Sequence, residues 1–302
     1  MSETYDIFDD RFRELLLPDS TLEKHASGCI WSEGAVYYKG GVVWSDIPNN
    51  RMMRWDEADG SVSIFRQPSN FTNGNTLDHQ GRLLTCEHGG RRISRTEPDG
   101  NVVTVIDNYQ GKRFNSPNDI VVKSDGTIWF TDPPYGILPG TKEGYETEPD
   151  LDGCYVFRYD PVTDDLTLVI DEMIKPNGLA FSLDEQRLYV SDTAGDDDPG
   201  EAHIRVFDVA EDGISVTNGR VFTEINPGKS DGFRFDHNGY LYTSSQDSIQ
   251  VFTEGAELLG KILVPEKIAN CTFGGPEKNR LFIAASSSLY SITLNTRGVQ
   301  KP

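Results

Sequence analysis

Long apolar runs are missing from this chain of 302 residues. No stretch approaches the roughly 18 apolar residues that cross a bilayer as a helix, so no membrane partner is expected. Basic residues are scarce: 28 Lys and Arg stand against 48 Asp and Glu, a formal net charge of -20. A surface of that sign repels phosphate backbones, which argues against a nucleic-acid partner. The 4 cysteines, Cys29, Cys86, Cys154 and Cys271, form no CxxC or Cys/His zinc spacing and read as reduced, mostly buried thiols. Helical periodicity is nearly absent, with residues 9–17 the one candidate. GxSxG and HExxH motifs are also missing, so serine-hydrolase and zincin chemistry lack their usual carriers. The N-terminus, MSETYDIFDDRF, is acidic and polar where a signal peptide is basic and then apolar, and a cytoplasmic protein is the expectation.

What the sequence does contain is short runs rich in Val, Ile, Phe, Tyr and Trp, the composition of strands. Residues 114–136, FNSPNDIVVKSDGTIWFTDPPYG, show the unit. Asn118 opens the run Ile120-Val121-Val122, Ser124-Asp125-Gly126 makes a turn, and a second run returns antiparallel to end at Asp132. The same hairpin recurs behind Glu33, Asn73, Asn177, Asp231 and Asn270, at a spacing of about 40 to 50 residues or somewhat more, the mark of a repeat architecture. Each hairpin is followed by one or two further strand-like runs, such as RMMRWD and SVSIFR. Four strands in each of six units predict an all-β, six-bladed propeller with antiparallel blades, formed as a single domain by residues 1–302. Residues 1–20 are expected as an N-terminal extension, and the following LEKHAS run as the strand that completes the last blade. The third and fourth units carry insertions at residues 135–152 and 193–202, overhanging the face that bears the entrance residues.

With the first strand of each hairpin innermost, six side chains converge near the axis: Glu33, Asn73, Asn118, Asn177, Asp231 and Asn270. For any one of them, a polar residue before glycine is most simply a turn. Six in register point to a shared role. Two carboxylates side by side in a desolvated site repel, and a cation relieves the cost. The donors are all oxygen, which suits a hard ion such as Ca²⁺.

At these residues a resemblance enters. WSEG (31–34), NSPNDIVV (115–122), FTDPPYG (130–136), KPNGLAFS (175–182) and SDGFRFD (230–236) resemble the gluconolactonase/regucalcin (senescence marker protein) superfamily, most closely its bacterial gluconolactonase branch. The resemblance covers the chain from about residue 20 onward, with Ala35 standing where the family usually has proline. It implies one divalent cation, with Ca²⁺ favoured over Mg²⁺, Mn²⁺, Zn²⁺ or Fe²⁺, held by Glu33, Asn118, Asn177 and Asp231. Asn73 and Asn270 then line the site without ligating. The implied reaction is hydrolysis of a sugar lactone to its aldonic acid by metal-activated water, with Asp231, or else Glu33, as the group that takes the proton. Substrate hydroxyls are expected at Asn75, His88, Arg113 and Tyr135. The alternatives are a phosphotriesterase of the diisopropylfluorophosphatase type and a non-catalytic calcium-binding propeller. The exit acids Asp46, Asp132 and Asp192 read as structural. GAELLGK (255–261) has the spacing of a phosphate loop but Ile262 where Ser or Thr is needed, and the run Asp196-Asp197-Asp198 reads as a solvated loop.

Overall fold

The computed structural model describes residues 4–194 and 202–299. Six antiparallel blades of four or five strands succeed one another along the chain, beside one small two-stranded sheet, and each inner strand opens near its entrance residue. The inner strands are Ser32–Tyr37, Thr72–Leu77, Ile120–Val122, Pro176–Phe181, Phe233–Phe235 and Ile268–Gly274. All run in the same sense along the axis. Their first residues therefore gather at one mouth of the ring and their last residues at the other.

Local chemistry sets the hairpins. In the first blade Lys39 and Gly40 both have positive φ (47° and 72°), the two-residue turn whose twist matches the flanking strands. In the third, the Asp125 carboxylate accepts from the Thr127 backbone N–H (2.9 Å) and hydroxyl (2.6 Å), closing the turn that the sequence marks as SDG. Apolar residues alternate out of each sheet into the layers between blades. Between the second and third blades, for example, Phe114, Phe130 and Phe157 pack at ring-centroid distances of 5.2 to 5.4 Å beside Leu84 and Ile93. Truncating one such ring to alanine would cost roughly 3–5 kcal/mol.

The N-terminal segment closes the ring, though not wholly as the sequence suggests. Glu23–Ala26 pairs with Ser288–Thr293 and completes the sixth blade, as expected of the LEKHAS run. Ahead of it, the presumed extension is built in: Tyr5–Ile7 adds a fifth strand to the fifth blade against Leu258–Leu263. The helical signal at 9–17 reduces to Asp10–Arg13, N-capped by Asp9. Its Phe12 is fully buried over Gly260, where a Cβ would lie 2.4 Å from the ring. Amphipathic spacing there marks one anchoring aromatic rather than a long helix.

The sequence 255–261 folds into a turn and an outer strand, with no helix after it to hold a phosphate. All four cysteines are free thiols, three of them buried and Cys154 partly exposed. No helix among the described residues is long and apolar enough to cross a membrane. The acidic run 196–198 lies outside the described residues.

Candidate active site

A glycine follows four of the six entrance residues, Glu33, Asn73, Asn177 and Asp231, and explains how the mouth of the ring is built. A Cβ on Gly34 would lie 2.0 Å from the Asn73 carbonyl oxygen, on Gly74 2.4 Å from that of Asn118, and on Gly178 2.2 Å from that of Asp231. These glycines are not turn residues between blades. They let each inner strand approach the next one at the axis, closer than any side chain would permit. The backbone is fixed there by donors from both sides. Gly74 N–H donates to the Asn118 carbonyl (2.7 Å) and Gly178 N–H to that of Asp231 (2.9 Å). The hydroxyls of Ser45, Thr131 and Ser191 donate to the carbonyls of Asn73 (2.7 Å), Asn177 (2.7 Å) and Asp231 (2.8 Å). Each hydroxyl belongs to the second strand of the preceding blade, so neighbouring blades hold one another's functional residues in register.

Five entrance side chains, Glu33, Asn73, Asn118, Asn177 and Asp231, line one cavity of about 320 Å³. Glu33 is held from its own strand and from the sixth blade: its Oε2 accepts from Gly34 N–H (2.7 Å) and from Asn270 Nδ2 (3.2 Å). Asn270 therefore stands behind Glu33, its own Oδ1 accepting from Cys271 N–H (2.9 Å), and does not line the cavity. Burial raises the Glu33 carboxyl well above the usual carboxylate range, and the charge of Asp231 pushes it further. Asp231 is also raised, chiefly by desolvation, with Lys267 opposing. The amides of Asn118 and Asn177 make no hydrogen bond to another described side chain or backbone group.

That arrangement fits a hard divalent cation. Two carboxylates that repel one another and two uncommitted amides face the same space, and all offer oxygen. No group of three or more His, Cys, Asp or Glu side chains placed to hold a metal ion by themselves occurs among the described residues. The donor set is therefore mixed carboxylate and amide, not the imidazole or thiolate set of a softer metal.

The expected substrate-contacting residues divide. Tyr135, from the third-blade insertion, lines the cavity, and its hydroxyl bonds that of Thr193 from the fourth. His88 does not reach the cavity. It is fully buried, and burial lowers its pKa to about 4, so the ring is neutral. Its Nδ1 donates to the Glu143 carbonyl (3.1 Å), which leaves Nε2 to accept from Asn73 Nδ2 (3.2 Å). His88 thus aims Asn73. Asn75 is fully buried with its amide committed to the scaffold: Nδ2 donates to the carbonyls of Gly34 (2.8 Å) and Asn73 (2.9 Å), and Oδ1 accepts from Thr85 (2.9 Å). Arg113 lies exposed on a small outer hairpin, Asn108–Tyr109 with Lys112–Arg113, and donates to the Gly90 carbonyl (2.7 Å). Neither Asn75 nor Arg113 borders the cavity. Proximity in sequence to an entrance or an exit misled in both cases.

Trp31, Glu143, Lys175, Thr193, Lys229 and Lys267 also line the cavity and carried no sequence expectation. Lys267 lies 5.4 Å from the centre of the Trp31 ring and Lys175 5.9 Å from that of Tyr135. Glu143 is raised to about 7 by burial. A signal for several of them exists: Trp31, Lys175 and Lys229 each stand two residues before an entrance residue, the position that turns toward the mouth. Two of the exit acids, Asp46 and Asp192, are by contrast held by the scaffold. Asp46 accepts from Ile30 N–H (2.9 Å), Asn49 (2.8 Å) and Arg51 (2.8 Å), and Asp192 from three backbone N–H groups at 2.9 to 3.1 Å.

Six blades around an axial cluster of acids and amides define a β-propeller with a polar cavity at one mouth. The family model described as SMP-30/Gluconolactonase/LRE-like region matches residues 31–287, and the chain belongs to that family. It is 34% identical to a gluconolactonase of Zymomonas mobilis over 96% of this chain and 86% of that protein. A pentonolactonase of Haloferax volcanii is 24% identical over 86% of this chain and 83% of its own length. The solved structure of a gluconolactonase of Xanthomonas campestris superposes with a TM-score of 0.90 at 37% identity, covering 97% of this chain and 95% of that one.

Proposed function

We propose that the protein is a divalent-cation-dependent lactonase that opens an aldonolactone, such as gluconolactone, to the aldonic acid. The observation that carries the reading is the convergence of Glu33, Asp231, Asn118 and Asn177 on one cavity, with both carboxylates raised and both amides uncommitted. Its kinship with proteins named gluconolactonase and pentonolactonase supports a lactone as the substrate.

Glu33, Asn118, Asn177 and Asp231 would hold the cation, with Ca²⁺ the favoured ion for an all-oxygen set. When bound, such an ion supplies Lewis acidity toward an ester carbonyl and toward water. The remaining work falls to the chain. Asp231 is the group that takes the proton from the attacking water. Glu33 has one oxygen fastened by Gly34 and Asn270, which suits a fixed ligand, whereas the Asp231 carboxylate is anchored through its backbone and left partly exposed to the cavity. Asn73, aimed by His88, and the rim residues Tyr135, Thr193, Lys175, Lys229 and Lys267 offer hydrogen bonds to the hydroxyls and ring oxygen of a sugar lactone. A cavity of about 320 Å³ suits a single sugar ring.

The test is a panel of aldonolactones assayed after chelation and after separate reconstitution with Ca²⁺, Mg²⁺, Mn²⁺, Zn²⁺ and Fe²⁺. Acceleration over spontaneous opening, abolished by chelation and restored by one or more ions, is the expected result. No cation-dependent acceleration with any member of the panel overturns the reading.

A further inference from the structure

One carboxyl in the lactone cavity has no part in holding the cation. Glu143 comes from the insertion of the third blade, where residues 142–150 are exposed except for Glu143 and Gly144, which turn inward. The other acids of that stretch serve the scaffold or face solvent. Glu146 accepts from Gly140 N–H (3.0 Å), Asp150 from Arg91 (3.2 Å) and Arg113 N–H (3.3 Å), and Glu148 is exposed. Glu143 instead lines the cavity together with Glu33 and Asp231. Its carboxyl makes no hydrogen bond or ion pair among the described residues, and neither oxygen is closed to solvent.

Its main chain, by contrast, is fastened from several sides. Glu143 N–H donates to the Thr141 hydroxyl (3.1 Å), which in turn donates to the Tyr135 carbonyl (2.8 Å). The Glu143 carbonyl accepts from His88 Nδ1 (3.1 Å), which ties the insertion to the second blade. A Cβ on Gly144 would lie 2.2 Å from the Gly136 carbonyl oxygen, so the insertion folds tightly back on itself, and Tyr145 packs edge-on against Phe71 at 5.2 Å. An uncommitted carboxyl is thus carried on a fixed backbone, the arrangement that positions a reacting group before the substrate arrives.

Opening a lactone needs two proton movements. The attacking water gives one up, and the ring oxygen must gain one or depart as an alkoxide, a poor leaving group. Asp231 takes the first. We propose that Glu143 supplies the second: as a carboxylic acid it gives its proton to the ring oxygen while the bond from that oxygen to the carbonyl carbon breaks. The step balances. Water adds its OH to the carbonyl carbon and its other proton to Asp231, and the ring oxygen becomes a hydroxyl with the proton of Glu143. Solvent then carries a proton from Asp231 back to Glu143, and the net change is lactone plus water to hydroxy acid. Enclosure without a donor favours the proton-bearing form of Glu143. The charges of Glu33 and Asp231 on the same cavity wall act in that direction too, and Lys175, Lys229 and Lys267 oppose them, with Tyr135 the remaining titratable group there. The inference rests on the lactonase reading.

Steady-state kinetics of the cation-saturated protein on gluconolactone, across about pH 5 to 8 and corrected for spontaneous opening, test it with Glu143→Gln and Glu143→Asp. Glu143→Gln should lower kcat by about 10²- to 10³-fold with KM within about twofold of the wild type. It should also remove the fall of kcat toward alkaline pH that the wild type shows as the acid ionises. Glu143→Asp keeps the acid one methylene short, and should retain that fall and recover part of kcat. A Glu143→Gln variant as fast as the wild type overturns the proposal. So does one with raised KM and unchanged kcat, the mark of a group that only holds substrate hydroxyls, one that keeps the alkaline fall, or a wild-type profile without it. A wild type inert toward every aldonolactone instead defeats the lactonase reading, and the proposal with it.

Discussion

Two sets of buried acids meet at the same mouth of the ring and have opposite fates. Asp46 and Asp192, at the ends of second strands, are enclosed by backbone N–H groups and, for Asp46, by Asn49 and Arg51. Glu33 and Asp231, at the starts of inner strands, are held near one another with too few donors, and their pKa values rise. Both sets are desolvated carboxylates in register along a repeat, so neither desolvation nor repetition separates scaffold from site. What separates them is whether the surrounding donors match the charge. Asp132 falls between: Asn115 N–H donates to one oxygen (2.8 Å), the other has no partner, and its pKa is raised to about 7 by burial.

The comparison is broken most sharply by exchanging the fates of its members. Asp231→Ala should lower kcat by about 10³-fold or more, with the melting temperature unchanged or raised because a strained carboxylate is removed. Asp46→Ala should do the reverse. It strands Arg51 and the Ile30 N–H, costs roughly 2–3 kcal/mol in urea unfolding, and leaves the activity of the folded fraction intact. An Asp46 variant as inactive as the Asp231 variant would erase the distinction.

The asparagines extend the contrast with smaller effects. Asn75→Ala should cost about 2 kcal/mol of stability, since its amide joins the first and second blades. Asn118→Ala and Asn177→Ala should each change stability by less than about 1 kcal/mol, while weakening cation affinity by about tenfold to a hundredfold in calorimetric titration.

Acidity gives a subtler sign. A carboxyl whose folded pKa is raised binds its proton more tightly in the native state. For Asp231, raised from 3.8 to about 7, the contribution to the stability of the chelated protein is therefore fully present below about pH 4 and lost as pH rises through about 7. His88, lowered from 6.5 to about 4, works oppositely: its contribution is present above about 6.5 and lost as pH falls through about 4. Adding the cation should remove the first dependence and leave the second, and its uptake near pH 6 should release protons. Denaturant midpoints across pH 4 to 8, with and without the cation, read both. The smallest effect is expected at the blade junctions, where Thr131→Val or Ser191→Ala should lower kcat/KM by about tenfold through looser positioning of Asn177 or Asp231.

The blades were legible in the sequence because each one repeats a hairpin with its own turn chemistry and alternating apolar residues. The axial residues were legible because their type recurs in register. Asn75 and Arg113 were misplaced because a hydrogen-bond partner 41 residues away, the Gly34 carbonyl, and a diverging outer hairpin cannot be read from spacing. The lysines of the rim carried no expectation, although Lys175 and Lys229 share one offset from their entrance residues. The Ser or Thr that precedes an exit acid at 45, 131 and 191 was equally visible, but its role depends on a carbonyl of the next blade.

The most direct measurement is calorimetric titration of the chelated protein with Ca²⁺, comparing the wild type with Glu33→Gln and Asp46→Asn. One Ca²⁺ per chain in the wild type and in Asp46→Asn, with binding lost in Glu33→Gln, is the expected result. Equal binding by all three, or none by the wild type with this or any other divalent ion, would contradict a cation site built on the unmatched acids.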